Sequence, residues 1–380
     1  MNDDLRFKFQ TLHEIVDAAR SKLSRNIWDY LRGGTETETT LKRNRMALDS
    51  LAFRPRVLRD MRVVNAGSNI LGHKMRLPVC LAPIGSLESF DPEGGVAAMR
   101  AASEFGCALM LSSVSTVPME DVAKASSGFK IAMLYKRGDD EFLDSYVNRA
   151  IDSGYDAFCL TVDSANYSRR ERDIANRFAK PWRTGAGADW QAALSWKDVE
   201  RYKAKYKLPI ILKGIATAED ALMAIEHGVD MVYVSNHGGR QLDHGLGSFT
   251  VLPEVVDAVA GRSLVAVDGG FSRGTDIIKG IALGADLVGL GRLFCYGLAA
   301  GGADGVVRML ELLEEETKLA LGLLGATDYS KIEHTQLCPA APVNLPDVAS
   351  AFPFTPLSFR RAPTADAAAH APCVFVSSRN

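Results

Sequence analysis

No apolar run in the 380-residue chain approaches the roughly 18 to 20 residues that a membrane span requires. The first residues, Met1-Asn2-Asp3-Asp4, are acidic and open no apolar signal segment, so the expected location is the cytoplasm. Cysteine is sparse: six residues, Cys80, Cys107, Cys159, Cys295, Cys338 and Cys373, with no CxxC pair. That pattern argues against a disulfide frame or a cysteine zinc site and fits reduced thiols. No Zn or Ca ligand spacing occurs, so no metal is expected and a cofactor must carry any redox step. Charge is nearly balanced, with 44 Lys and Arg against 46 Asp and Glu and no basic stripe, which argues against nucleic acid as the main partner. Finally, no GxGxxG follows the first strand-like run, so the main signature of an open dinucleotide-binding sheet is missing.

What is present is a rhythm. Short apolar or β-branched runs start at 79, 108, 130, 157, 208, 231, 264 and 287, and helix-like stretches such as 93–104, 140–153, 218–227, 253–259 and 274–283 lie between them. Eight strand and helix units in one unbroken series predict a closed (β/α)8 barrel, the TIM-barrel class of α/β fold. The starts are 22 to 33 residues apart except for 51 between the fourth and fifth, and the excess, 164–196, reads as a lid loop. Residues 1–60 read as an accessory helical cap, with apolar residues at helical spacing from Thr11 to Leu23 and a short helix over Asn26–Leu31 stopped by Gly33-Gly34. The barrel domain is expected over 1–338. Residues 339–380 hold seven of the fifteen prolines and read as an extended tail that wraps the barrel or a neighbouring subunit.

In such a barrel the site lies at the C-terminal ends of the strands. Here these ends carry Ala82-Pro83-Ile84-Gly85, Ser112-Ser113, Tyr135, Thr161-Val162-Asp163, Lys213-Gly214, Ser235-Asn236-His237, Asp268-Gly269-Gly270 and Gly291-Arg292. Strands often end in turn residues, yet a Lys, an Arg, a His and two Asp at one level exceed what turns need. The densest stretch is Ser235–Asp243, Ser-Asn-His-Gly-Gly-Arg-Gln-Leu-Asp. His237 exchanges protons near neutral pH, the glycines allow close backbone approach, and Arg240 offers a planar fork to a carboxylate. Asp268-Gly269-Gly270 and Gly291-Arg292 end the seventh and eighth strands, where barrels often hold a phosphate.

The chain resembles the FMN-dependent L-2-hydroxy acid oxidases and dehydrogenases, through Ser235–Asp243 and, in order, Thr161-Val162-Asp163, Arg169-Arg170-Glu171, Leu194–Asp198, Lys213-Gly214 and Asp268-Gly269-Gly270. The resemblance implies an FMN enzyme that oxidises an L-2-hydroxy acid to the 2-oxo acid. His237 would be the base, Asp163 its partner, and Tyr135 a hydrogen-bonding group on the substrate oxygen. Tyr30, Arg170 and Arg240 would bind the substrate carboxylate, although Tyr30 alone reads as a packing tyrosine. Pro83, Ile84 and Gly85 would lie along the flavin near N5, Ser112 and Thr161 at its ring system, and Lys213 by N1 and O2. Asp268, Gly269, Gly270, Gly291 and Arg292 would hold the ribityl phosphate.

Two positions depart from the family pattern. Met133 stands where a glutamine usually meets the flavin, and a thioether cannot donate that bond. Ser272 stands where the phosphate arginine often lies, with Arg273, the next residue, expected to compensate. Gly85, and Val114 in place of the bulky tryptophan of glycolate oxidase, imply room for a bulky aliphatic or aromatic, mandelate-like substrate. The expected partners are that acid and O2, in a homo-oligomer such as a tetramer. A dehydrogenase reoxidised by a quinone or carrier protein, and a non-catalytic flavin-binding protein, are the competing readings.

Overall fold

The computed structural model describes residues 3–178 and 188–354. The stretch 179–187 of the expected lid and residues 355–380 of the expected tail lie outside the described residues. Eight parallel strands close into a barrel: β1 Val79–Leu81, β2 Ala108–Ser112, β3 Lys130–Leu134, β4 Ala157–Thr161, β5 Ile210–Ile215, β6 Met231–Val234, β7 Leu264–Val267 and β8 Leu287–Leu290. They pair in sequence order, and β8 closes on β1. The strands are buried almost throughout, as expected for parallel strands covered by helices on one side and packed into a barrel interior on the other. Seven strands begin where the apolar runs begin. The fifth starts two residues late, after Pro209, which has no N–H for the ladder.

The register of β5 on β6 shifts between Lys213 and Ile215. Gly214 lies at this bulge with φ 120°, and a Cβ there would stand 2.7 Å from the Asp163 Cβ. Glycine therefore lets the β4 and β5 ends approach, bringing Asp163 and Lys213 to one level.

After the short helix Asp3–Lys8, three longer helices precede the barrel: Leu12–Lys22, Arg25–Arg32 and Thr39–Asp49. The first of the three begins with a capping box between Thr11 and Glu14 and buries Leu12, Ile15, Val16 and Ala19. It lies on the helical segment Arg292–Leu324 that follows β8, which is broken at Gly301-Gly302 by non-helical backbone angles. The short strands Leu51–Phe53 and Leu337–Pro339 pair antiparallel, tying the two ends of the chain together. Beyond that pair, residues 347–354 run along the N-terminal helices: Asp347 meets Arg32, and Phe352 and Phe354 meet His13. No helix among the described residues is long and apolar enough to cross a membrane.

Candidate active site

The stretch that ends β6 folds into a left-handed turn. His237, Gly238 and Gly239 have φ of 59°, 65° and 72°. Glycine adopts such angles freely, whereas for His237 they are strained and persist only because its surroundings hold them. Ser235 Oγ accepts from the His237 N–H (3.1 Å) and from Lys213 Nζ (2.7 Å), and donates to Asp268 Oδ1 (2.6 Å). One hydroxyl thus joins the ends of β5, β6 and β7.

The helix Thr39–Asp49 holds the turn from outside. A Cβ on Gly239 would lie 2.5 Å from the Leu41 backbone, so only glycine fits there. Asn44 and Asn236 exchange side-chain amide hydrogen bonds of 2.9 and 2.7 Å. Asp243 accepts from the Thr37 and Thr40 N–H groups at 2.9 and 2.8 Å, capping a helix whose own N-cap residue, Glu38, offers no side-chain bond.

His237 Nδ1 lies 2.9 Å from Asp163 Oδ1, and Nε2 lies 3.1 Å from the Tyr135 hydroxyl. The carboxylate accepts the Nδ1 proton, which leaves Nε2 as the basic nitrogen with Tyr135 donating to it. Burial lowers the His237 pKa below 6.5, while Asp163 opposes that fall without cancelling it. Burial would raise Asp163, but His237 and Lys213 outweigh it and keep the carboxyl below its ordinary range. A neutral imidazole beside an ionised carboxylate is the arrangement a proton acceptor needs. Lys213 is 4% exposed, 2.9 Å from Asp268 Oδ2; burial would lower its pKa, but Asp268 and Asp163 hold it up.

Arg240 and Arg292 are both held by the C-terminal end of the helix Arg25–Arg32. Arg240 Nη1 donates to the carbonyls of Tyr30 and Gly33, each at 2.7 Å. Arg292 donates to Leu31 (2.9 Å), Gly33 (2.9 Å) and Gly238 (3.1 Å) carbonyls. Carbonyls at a helix C-terminus lack intrahelical partners and carry partial negative charge, so they suit guanidinium groups. The N-terminal helices are therefore part of the site, which corrects the accessory role expected for them. Arg170 donates to Ser168 Oγ at 3.4 Å and lies 4.6 Å over the Tyr167 ring; burial, and then the charge of Arg240, push its pKa down to about 10. No carboxylate among the described residues is within ion-pair distance of Arg170 or Arg240.

These groups line one cavity. It runs from Tyr30, Tyr135, Arg170, His237 and Arg240, past Pro83, Ile84, Gly85 and Lys213, to Asp268, Gly269, Gly270, Gly291 and Arg292. Asp163 stands behind His237 and does not itself line it. Ser112 and Thr161 lie just outside the lining: the Ser112 Oγ accepts from the Val114 N–H at 3.3 Å, while the Thr161 Oγ1 is buried with no hydrogen-bond partner. Arg273 departs from expectation. Its guanidinium turns away from the cavity, pairs with Glu316 at 2.5 Å and donates to the Ala351 carbonyl at 3.4 Å. Charge pairing with Glu316, on the helix after β8, decides its direction.

Four contributors escape sequence reasoning. Gln191 bridges the β3 and β4 ends, donating to the Thr161 carbonyl (2.8 Å) and accepting from the Lys136 N–H (2.7 Å). Arg45, Tyr167 and Val348 also line the cavity. None belongs to a short motif: Tyr167 and Gln191 lie in the long loop after β4, and Arg45 and Val348 in segments before and after the barrel.

With that geometry in hand, the FMN-dependent dehydrogenase family model matches residues 19–339. The chain belongs to the FMN-dependent dehydrogenase family. Glycolate oxidase 3 of Arabidopsis thaliana is 37% identical over 347 residues, covering 85% of this chain and 94% of the relative. Glycolate oxidase of Spinacia oleracea is 37% identical over 349 residues, covering 86% and 95%. The solved structure of mandelate oxidase with benzoyl-formic acid has a TM-score of 0.82 at 39% identity, covering 88% of this chain and 100% of that one. As an FMN-dependent dehydrogenase, the protein is an oxidoreductase that oxidises 2-hydroxy acids. Its residues fit FMN on two counts. A buried Lys213 cation lines the middle of the cavity with an orphaned Thr161 hydroxyl outside its lining, and the left-handed Gly269 and Gly270 (φ 106° and 89°) present bare backbone at one end.

Proposed function

We propose that His237 is the base that takes the hydroxyl proton of an L-2-hydroxy acid, and that Arg170, Arg240 and Tyr30 bind its carboxylate. The observation that carries this reading is the chain Asp163, His237, Tyr135, spanning 2.9 and 3.1 Å and standing beside two guanidinium groups that lack carboxylate partners among the described residues. Arg240 lies 4.8 Å over the Tyr30 ring, which keeps both on one side of the substrate. His237 Nε2 accepts the proton, and Asp163 balances the imidazolium that results. Tyr135 then donates to the oxygen that becomes the ketone. FMN, when bound, accepts the two electrons and the C2 hydrogen. Lys213 supplies positive charge by the ring edge that becomes electron-rich. Pro83, Ile84 and Gly85 would form a wall on the ring, Ser112 and Thr161 would contribute near it, and Asp268, Gly269, Gly270, Gly291 and Arg292 would hold the phosphate end.

The substrate is read as a bulky aliphatic or aromatic, mandelate-like acid, supported by Val114 and Phe90 on the cavity wall. The acceptor is read as O2, in keeping with relatives named as oxidases. The reading carries a homotetramer and a cytoplasmic location too. Sedimentation velocity and cell fractionation test them, and a peroxisomal pool, which the names of several plant relatives suggest, would count against the second. The decisive experiment on the base uses His237→Ala. It is expected to keep its yellow FMN while losing anaerobic bleaching by 2-hydroxy acids, and bleaching at the parent rate would overturn the assignment.

A further inference from the structure

We infer that residues 347–352 form the closing wall of the cofactor's phosphate end, a part of the site built by this chain outside the family match, which stops at residue 339. The inference rests on the reading that the phosphate lies at the β7 and β8 ends.

Val348 lines the same cavity as Gly269, Gly270, Ser272 and Arg292. The segment is fixed on both sides of it. On one side, Asp347 Oδ1 accepts from Arg32 Nη2 at 2.9 Å, on the helix whose C-terminal carbonyls hold Arg292. On the other side, Phe352 is 1% exposed and meets Tyr296 and His13 edge to face, at 6.5 and 5.8 Å between ring centres. Between the anchors, Ser350 Oγ bonds the Asp347 carbonyl at 2.8 Å and reaches Asp49 Oδ2 at 3.5 Å. Asp49 in turn accepts from Arg45, which holds Asp276, whose carboxylate takes the Ser272 and Arg273 N–H groups at 2.9 and 3.0 Å. The loop after β7 and the segment thus share one hydrogen-bonded chain.

The placement answers a deficit in the loop itself. Ser272 brings no charge to the phosphate, and Arg273, the nearest replacement, is committed to Glu316 and to the Ala351 carbonyl of this very segment. With Arg45 also taken, by Asp49 and Asp276, the phosphate end holds its anion with Arg292 and backbone N–H groups, a set whose strength depends on keeping water out. An apolar Val348 held across the opening does that. Arg273 serves the phosphate indirectly, by fastening the wall.

The test compares FMN release from the full-length holoenzyme and from two variants, Phe352→Ala and Asp347→Ala, which loosen opposite anchors. Release is followed as the rise of free flavin fluorescence after dilution, at low and high salt, and affinities for FMN and riboflavin are measured on the apoprotein. Each variant is expected to release FMN at least ~10-fold faster, with a steeper salt dependence than the parent because screening reaches an unsealed charge pair. Riboflavin affinity is expected to change less than about twofold, since the wall acts on the phosphate's electrostatic hold. Equal weakening for both flavins in both variants would mean a general loss of structure and would overturn the proposal, as would unchanged FMN release in Asp347→Ala. If instead the parent binds riboflavin as tightly as FMN, the location of the phosphate is wrong and the wall loses its object.

Discussion

Replacing Asp163 by Asn keeps the volume at His237 and removes the charge. The carboxylate lies 2.9 Å from Nδ1, both groups are largely buried, and Asp163 is the only carboxylate within ion-pair distance of the imidazole among the described residues. A hydrogen bond to a charged group is worth about 1.5–3 kcal/mol, and it is made at full strength only when the imidazolium forms. At about 1.36 kcal/mol per tenfold, the rate of substrate reduction should fall roughly 13- to 160-fold. A larger loss means that the amide presents its NH2 to Nδ1 and reverses the tautomer, so that Nε2 carries the proton it is meant to accept. The pH profile supplies an independent sign. The base works deprotonated, so activity is present above the His237 pKa and lost below it. Burial has already brought that pKa under 6.5 against the opposing pull of Asp163. Removing the carboxylate lets it fall further, and the acid limb of kcat/KM moves to lower pH. Anaerobic stopped-flow bleaching of the flavin band across pH measures both effects. A loss below threefold, or an acid limb displaced upward, refutes the assigned roles.

Three further outcomes follow from the same geometry. Arg240→Leu should raise KM for 2-hydroxy acids by roughly one to two orders of magnitude, the worth of a charged contact, with FMN absorbance retained; an unchanged KM in steady-state assays removes Arg240 from the carboxylate site. Val114→Trp should shift the kcat/KM ratio toward glycolate and away from mandelate-like acids, and an unaltered ratio across the panel means that residue 114 does not meet the substrate. Arg45→Met strands the Asp276 carboxylate, 1% exposed and 2.7 Å from the guanidinium, and should cost about 3–5 kcal/mol in denaturant unfolding; pairing it with Asp276→Leu should recover much of that.

The barrel was legible because its strands are buried on both faces, so apolar runs mark them without alternation, and the helices between them carry their own spacing. What escaped reading was settled by distant residues. The helix Thr39–Asp49, of sequence TTLKRNRMALD, has a weak apolar stripe, and its N-terminus is capped by Asp243, some two hundred positions away. The helix after β6 starts at Ser248, five residues before the Pro253 that marked its expected beginning, because Ser248 is drawn in by Asn44 and Asn236. At the site, resemblance set Asp163 beside His237 and gave Tyr135 to the substrate oxygen, and the contact of Tyr135 with His237 was not read, since the 74 and 102 positions that separate Asp163 and Tyr135 from His237 carry no geometric information by themselves. Arg273 could not be placed in this way. A guanidinium goes where carboxylates and carbonyls are, and Glu316 and Ala351 are brought to it only by the folded chain.

The charge balance of the cavity says why so much of the chain converges on it. Asp163 is committed to His237 and Asp268 to Lys213, which leaves the guanidinium groups of Arg170, Arg240 and Arg292 with only neutral partners among the described residues. Burying three such cations is costly unless their N–H groups are occupied, and like charges in one cavity add to the cost. The fold meets the first requirement with carbonyls from a helix C-terminus for Arg240 and Arg292, and with a hydroxyl and an aromatic face for Arg170. It leaves the second unmet. On the proposed reading, the pair of arginines beside His237 and the one at the far end would meet two separate anions, a carboxylate and a phosphate, brought by the ligands. By contrast Arg45, which also reaches the cavity, and Arg76, which does not, have carboxylate partners within 3 Å. The distinction between an arginine that supports the fold and one that waits for a ligand is thus visible in what the fold chooses to pair it with.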